Sequence, residues 1–170
     1  MAKIVIFGNA GAGKSTLARF YRDCQGLPYL DLDAIAWRSD QPHLRLPLQQ
    51  SVAKIQAFIS THPHWVIEGC YGSLLPVAIS YCDRLIFLNP GMATCEKNCQ
   101  QRQWEPHKYA SPSEQDQHLN GLLDWVRQYE IREDEFSYGV HRQLFEGFSG
   151  NKQELRSNES VQYWQRFMSG

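Results

Sequence analysis

Gly8-Asn9-Ala10-Gly11-Ala12-Gly13-Lys14-Ser15 carries the spacing G-x-x-x-x-G-K-[ST] at every fixed position. Glycines placed this way allow positive φ, so successive backbone N–H groups can curl around phosphate oxygens. Residues 3–7 before the motif hold a run of four apolar side chains, the pattern of a buried strand. After it, Leu17, Phe20, Tyr21 and Cys24 recur at the spacing of one helix face. A strand–turn–helix context is what such a motif needs in order to act as a phosphate loop. The helix opening near Gly13 adds its free amides and the positive end of its dipole. Lys14 then supplies a point charge for the β- and γ-phosphates, and Ser15 a hydroxyl for Mg²⁺. The expected nucleotide cradle therefore comprises Gly8, Asn9, Ala10, Gly11, Ala12, Gly13, Lys14 and Ser15, with the adjoining Thr16. The motif implies ATP with Mg²⁺ as its ligand.

Outward from this motif the chain alternates short apolar runs with amphipathic stretches. Residues 28–32, 64–67, 84–88 and 152–155 read as further strands. Helical stripes appear at Leu48, Val52, Ile55 and Ile59, and at Met92, Cys95 and Cys99. Ser111-Pro112-Ser113-Glu114 is a capping box with proline in the first helical position. It predicts a helix whose apolar face is Leu119, Leu122, Leu123, Val126 and Tyr129, and a last helix carries Val161, Trp164 and Met168. Strand–helix alternation requires crossover connections, hence an α/β domain with a mainly parallel sheet. The 170 residues are the length of one domain.

Charge excludes several functions. Seventeen basic residues face eighteen acidic ones, a balance that gives no electrostatic footprint for nucleic acid or an anionic membrane. The longest uncharged stretch, residues 69–82, falls short of the roughly 18 residues a spanning helix needs. The apolar run of residues 4–7 is too short for a signal-peptide core. Five cysteines in irregular positions give no disulfide framework. A cytoplasmic protein is expected. Cys95 and Cys99 lack the further thiols or histidines of a tetrahedral site and are expected to pack in the core.

A phosphate loop needs an acidic partner for its metal. Asp31 and Asp33, in Tyr29-Leu30-Asp31-Leu32-Asp33, close the second strand run, and Glu68, in Trp65-Val66-Ile67-Glu68-Gly69, closes the third. In a doubly wound sheet the carboxyl ends of the strands converge on the ligand crevice. In an extended chain Asp31 and Asp33 point to the same face. The competing interpretation of one of them is a helix N-cap before Ala34, and of Glu68 a solvated strand end. Asn89-Pro90, after the fourth strand, reads as a helix cap with a first-turn proline rather than as a metal ligand.

Taken in order, the phosphate loop, Asp31-Leu32-Asp33 with Trp37, Val66-Ile67-Glu68-Gly69 and Asp83-Arg84-Leu85-Ile86-Phe87-Leu88 resemble the small P-loop kinases, among them the adenylate, shikimate and gluconate kinases. Within that group the chain is most similar to the DNA topology modulation proteins. The resemblance implies a P-loop NTPase fold: a five-stranded parallel sheet in order 2-3-1-4-5 flanked by helices, with a lid at residues 103–117. It implies that Arg102 meets the transferring phosphoryl and that Arg156 lies where the adenine ring rests. Asp31 matches a position near Mg²⁺ and the acceptor, Asp33 one that binds acceptor hydroxyls, and Glu68 the acidic residue beside a glycine near the metal. Trp37, just after Asp33, is placed where an acceptor ring could stack. The chain departs from the adenylate kinases after Glu68-Gly69, where Cys70-Tyr71-Gly72 lacks their proline and arginine. Lys108 is the one Lys or Arg of the lid, and His107 the one histidine there. The expected activity is transfer of the γ-phosphoryl of ATP to an unidentified small acceptor; the alternative is a nucleotide-dependent switch acting through a protein or nucleic-acid partner.

Overall fold

In the computed structural model, which describes residues 2–106 and 108–159, the sequence-predicted strands form one sheet of five parallel strands. These are β1 (Lys3–Gly8), β2 (Tyr29–Asp31), β3 (Trp65–Gly69), β4 (Arg84–Leu88) and β5 (Asn151–Leu155), in the order β2-β3-β1-β4-β5. The helices are α1 (Lys14–Gln25), α2 (Asp33–Ala36), α3 (Leu48–Thr61), α4 (Leu75–Ile79), α5 (Met92–Gln100), α6 (Pro112–Arg127) and α7 (Tyr138–Gly147). The predicted last helix at Val161, Trp164 and Met168 lies outside the described residues, as does His107.

β1 is apolar on both sides because both faces of the sheet are covered, as in parallel sheets generally. Its residues divide by alternation. Ile4 and Ile6 join Val66, Ile86 and Leu88 under Leu17 and Tyr21 of α1, Cys95 and Cys99 of α5, and Leu123 and Val126 of α6. Val5 and Phe7 join Ile67, Leu85 and Phe87 on the opposite face, against Ile35, Ile55 and Leu75, with Leu144 and Phe145 of α7 packed at the edge. Cys95 and Cys99 are core residues, as their helical spacing suggests.

The cap before α6 forms as its sequence predicts: Ser111 Oγ accepts from the Glu114 N–H at 3.1 Å. The Glu114 carboxylate reaches one residue further back than expected and accepts from the Ala110 N–H at 2.6 Å. Asn89 is not a helix cap. α5 starts at Met92 behind Gly91, and the Asn89 side chain donates to Glu154 at 3.0 Å, tying β4 to β5. Helices α4 and α7 have no counterpart among the sequence-predicted elements. α7 packs Tyr138, Leu144 and Phe145 partly buried against the core, and its fully buried residue is His141. Since a carbonyl can only accept, Nε2 of His141 donates to Cys70 O at 2.8 Å, and Nδ1 accepts from the Tyr129 hydroxyl at 2.8 Å. Burial holds this imidazole's pKa down to about 4, so it stays neutral at ordinary pH.

Candidate active site

The phosphate loop is built against α5 and α6 before any ligand is considered. Gly11 has φ 75°, and a Cβ there would lie 2.4 Å from Cys95 O and 2.7 Å from Cys99 Sγ. Gly13, at φ 97°, caps α1 in the left-handed region that glycine alone enters cheaply. Asn9 turns its side chain inward, where Nδ2 donates to Val126 O at 3.2 Å and Oδ1 accepts from the Ala10 N–H at 2.8 Å. From α5, Asn98 donates to Gly11 O at 2.7 Å. Lys14 Nζ donates to Asn9 O at 2.7 Å, across the mouth of the loop. Thr16 is exposed on the first turn of α1.

Glu68 belongs to β3 and is 2% exposed, so it is no solvated strand end. Its Oε1 accepts from the Ser15 hydroxyl at 2.7 Å and from the Tyr29 hydroxyl at 2.9 Å. Burial, with the charges of Glu68 and Asp31, pushes the Tyr29 hydroxyl far above its usual range, so it remains a donor. Asp31 is the register partner of Glu68 across the β2–β3 pair. Burial pushes the Asp31 carboxyl up to about 7, with the charges of Glu68 and Asp33 adding to the effect.

The same-face relation expected for Asp31 and Asp33 does not arise from an extended chain. β2 ends at Asp31 and Asp33 opens α2, because Asp31 Oδ1 accepts from the Asp33 N–H at 2.8 Å and turns the chain. The N-cap interpretation is thus met in part by Asp31, one residue before the assigned cap Leu32. Asp33 accepts a hydrogen bond from the Tyr71 hydroxyl, and its other oxygen lies 3.2 Å from Lys108 Nζ. Burial opposes its charge, but Lys108, Tyr71 and Lys14 outweigh that and hold its carboxyl below the usual range. The Trp37 indole N–H donates to Tyr71 Oη at 2.8 Å while its ring remains 37% exposed. Behind this chain the Arg45 guanidinium lies over the Tyr71 ring at 4.7 Å and the Trp37 ring at 5.4 Å, and pairs with Glu135 at 2.9 Å.

The segment after α5 supplies the cations opposite. Residues 112–117, assigned to the lid from sequence, are the first turns of α6, whereas the stretch before Pro112 is irregular. Arg102 lies 3.3 Å from Glu105, which lies 3.3 Å from Lys108. Arg156 stands at the exposed end of β5 and pairs with Glu154 at 3.1 Å, a carboxylate that Arg142 also holds at 2.7 Å. Lys14, Ser15, Glu68, Asp31 and Asp33 thus gather around one edge of the sheet, and Lys108 reaches it through Asp33. Tyr29, Tyr71, Arg45 and Asn98 join them without having been singled out from sequence. Tyr29 carried a signal, since it stands two residues before Asp31 on the same strand face; Tyr71 follows shortly after β3, and Arg45 and Asn98 come from distant parts of the chain.

Ser15, Glu68 and Asp31 offer hard oxygen donors. Among the described residues no group of three His, Cys, Asp or Glu side chains could hold a metal by itself. That donor set fits Mg²⁺, which is commonly held by one or two carboxylates together with substrate phosphates. No helix among the described residues is long and apolar enough to cross a membrane.

No protein-family model matches the chain, and no curated protein matches it in sequence. Solved structures do. A gluconokinase from Sinorhizobium meliloti 1021 superposes with a TM-score of 0.56 at 16% identity, covering 98% of this chain and 90% of that one. Shikimate kinase from Acinetobacter baumannii, in complex with shikimate, gives 0.55 at 14% identity, with 97% and 91% covered. Deoxyadenosine kinase from M. mycoides, with bound dATP, gives 0.53 at 13% identity, with 99% and 97% covered. The chain has the fold of the P-loop small-molecule kinases. At these identities the likeness is one of fold, and the observed strand order is the one the family resemblance implies.

Proposed function

We propose that this protein is a Mg²⁺-dependent phosphotransferase that moves the γ-phosphoryl of ATP to a hydroxyl of a small acceptor. The supporting observation is the Ser15–Glu68 hydrogen bond at the mouth of the phosphate loop, flanked by Asp31 and Asp33 on the same sheet edge. Loop amides and Lys14 would bind the β- and γ-phosphates, and Ser15, Glu68 and Asp31 would hold Mg²⁺. The ion, when bound, would neutralise charge on the phosphate oxygens. Asp31, beside Glu68 on the neighbouring strand, would orient the acceptor hydroxyl or take its proton. Asp33 would accept hydrogen bonds from the acceptor, with Trp37 beside it, and Arg102 would meet the transferring phosphoryl. Arg156 would border the adenine. The lid would close over the reacting groups and exclude water.

The similar structures are named for gluconate, shikimate and deoxyadenosine kinases, all acting on hydroxyl-bearing molecules, which supports an acceptor of that kind. Nothing in the charge balance favours nucleic acid as the partner, so the sequence resemblance to DNA topology modulation proteins is carried into the proposal as a shared kinase-like scaffold. We place the protein in the cytoplasm.

The test is ATP consumption by wild type and Lys14→Ala across a panel of nucleosides, nucleotides, sugars and hydroxy acids. Stimulation by one acceptor class in wild type and none in the variant is the expected result. ATP hydrolysis that no acceptor stimulates would favour the nucleotide switch instead.

A further inference from the structure

Two hydroxyl groups converge on one oxygen of Glu68, and the Ser15 hydroxyl is only one of them. The other belongs to Tyr29, the first residue of β2, whose ring is partly buried against the core that Leu17 and Tyr21 of α1 help to form. Tyr29 is the register partner of Val66, two residues before Glu68 on β3. Its phenol therefore spans diagonally from one strand to the next, a reach that aromatic side chains have and shorter ones lack. The hydroxyl arrives at 2.9 Å from Glu68 Oε1, beside the 2.7 Å bond from Ser15.

A glutamate has three side-chain torsions, so burial alone does not fix which way its carboxylate faces. Ser15 is a weak anchor for it, because the serine can rotate and its oxygen is itself an expected metal ligand. Tyr29 is different in kind. Its ring is packed, its oxygen is not an expected ligand of the ion, and its position is set by strand pairing rather than by the loop.

Resting on the phosphotransfer reading, we propose that Tyr29 is a positioning residue for the metal-binding carboxylate. Its hydroxyl donates to Oε1 of Glu68 and holds that side chain turned toward Ser15, so that the carboxylate faces Mg²⁺ pre-oriented. The hydrogen bond from Tyr29 to Glu68 is the route by which it acts. Partners that orient a metal ligand in this way commonly matter nearly as much as the ligand itself.

Tyr29→Phe removes the hydroxyl and keeps the packed ring. Two affinities are read on the whole protein: that of Mn²⁺ for the ADP complex, by electron paramagnetic resonance, and that of ADP in EDTA, by calorimetry. The expected result is about tenfold weaker Mn²⁺ binding in the variant with metal-free ADP affinity unchanged. In a Glu68→Ala background, Tyr29→Phe should add no further loss, since its route to the ion is gone. Unchanged Mn²⁺ affinity overturns the proposal. So does an equal loss of metal-free ADP binding, which would put Tyr29 in service of the loop, and so does a full additional loss in the Glu68→Ala background. Absence of nucleotide-dependent Mn²⁺ binding in wild type would instead remove the phosphotransfer reading on which the proposal stands.

Discussion

Lys108, in the loop between α5 and α6, sets its ammonium 3.2 Å from the carboxylate of Asp33 at the start of α2. The ion pair joins the loop between α5 and α6 to the start of α2. Glu105 backs it at 3.3 Å, and Arg102 in turn backs Glu105 at 3.3 Å. Lys108 is partly buried, which opposes its charge, yet Asp33 and Glu105 outweigh that and raise its pKa. The cation of the proposed lid therefore rests on the residue proposed to grip the acceptor.

If that pair holds the loop down, Lys108→Met should speed amide exchange in residues 103–105 and 108–111. Asp33→Asn should do the same, and the double variant should add little to either, because both remove one interaction. A half-exposed pair contributes on the order of 1 kcal/mol, so exchange should rise several-fold rather than by orders of magnitude. Exchange unaltered in Lys108→Met would show that other contacts fix the loop.

Asp31 gives a pH dependence with a definite sign. Its folded pKa, about 7, is above that of a free carboxyl, so between about pH 4 and that value the folded state binds a proton that the unfolded state has released. Stability contributed by this group falls as pH rises through that window, and the cost is fully present above it. Asp31→Asn keeps the oxygen that accepts from the Asp33 N–H and removes the charge. The variant should be more stable than wild type by about 1–3 kcal/mol near pH 8, with the gain shrinking toward pH 4. Urea unfolding of both proteins at the two pH values measures it. The same offset at both would mean that Asp31 titrates as an ordinary carboxyl.

Gly11→Ala tests the fit of the phosphate loop on α5. The added methyl would meet the backbone oxygen of Cys95 at 2.4 Å, a group that cannot swing aside, and the backbone there holds φ 75°. Crowding and left-handed strain together predict a loss of about 2–4 kcal/mol in denaturant unfolding. A loss below about 0.5 kcal/mol would mean that α5 yields easily at this contact.

The difference between what the sequence discloses and what it hides is visible in these residues. The strands were legible because the interiors of β1, β3 and β4, at residues 4–7, 65–67 and 85–88, are buried on both faces and apolar. The phosphate loop was legible because its glycines answer a local backbone demand. Asp31, Asp33 and Glu68 were legible as residues at strand ends, but their relation was not: the turn between Asp31 and Asp33 is made by a side chain, and alternation could not foresee it. The Lys108–Asp33 pair depends on how a long loop folds back over the sheet, which no periodicity encodes. In helix α7 the fully buried position is His141, whose polar atoms are satisfied by Cys70 and Tyr129, while Tyr138, Leu144 and Phe145 are only partly buried against the core.

Asp33→Ala separates transferase from switch. The donor is expected to be held by loop amides, Lys14 and the Ser15–Glu68 pair, none of which depends on Asp33 for its hydrogen bonds. ATP affinity should therefore change little in the variant. What Asp33 offers is a carboxylate kept ionised by Lys108, Tyr71 and Lys14, at the edge where an acceptor hydroxyl would arrive. Losing a hydrogen bond to a charged group costs about 1.5–3 kcal/mol, so acceptor-stimulated turnover should fall by roughly 10- to 150-fold in kcat/KM. The truncation also frees Lys108 and Tyr71 from their shared partner, so part of that fall could come from the lid rather than the acceptor. Lys108→Met supplies the control, because it releases the lid while leaving the Asp33 carboxylate in place. Turnover that falls in Asp33→Ala well beyond Lys108→Met assigns the loss to the acceptor grip. Equal losses in the two variants would assign it to the lid. Normal stimulated turnover in Asp33→Ala would remove Asp33 from the site and weaken the case for an acceptor there.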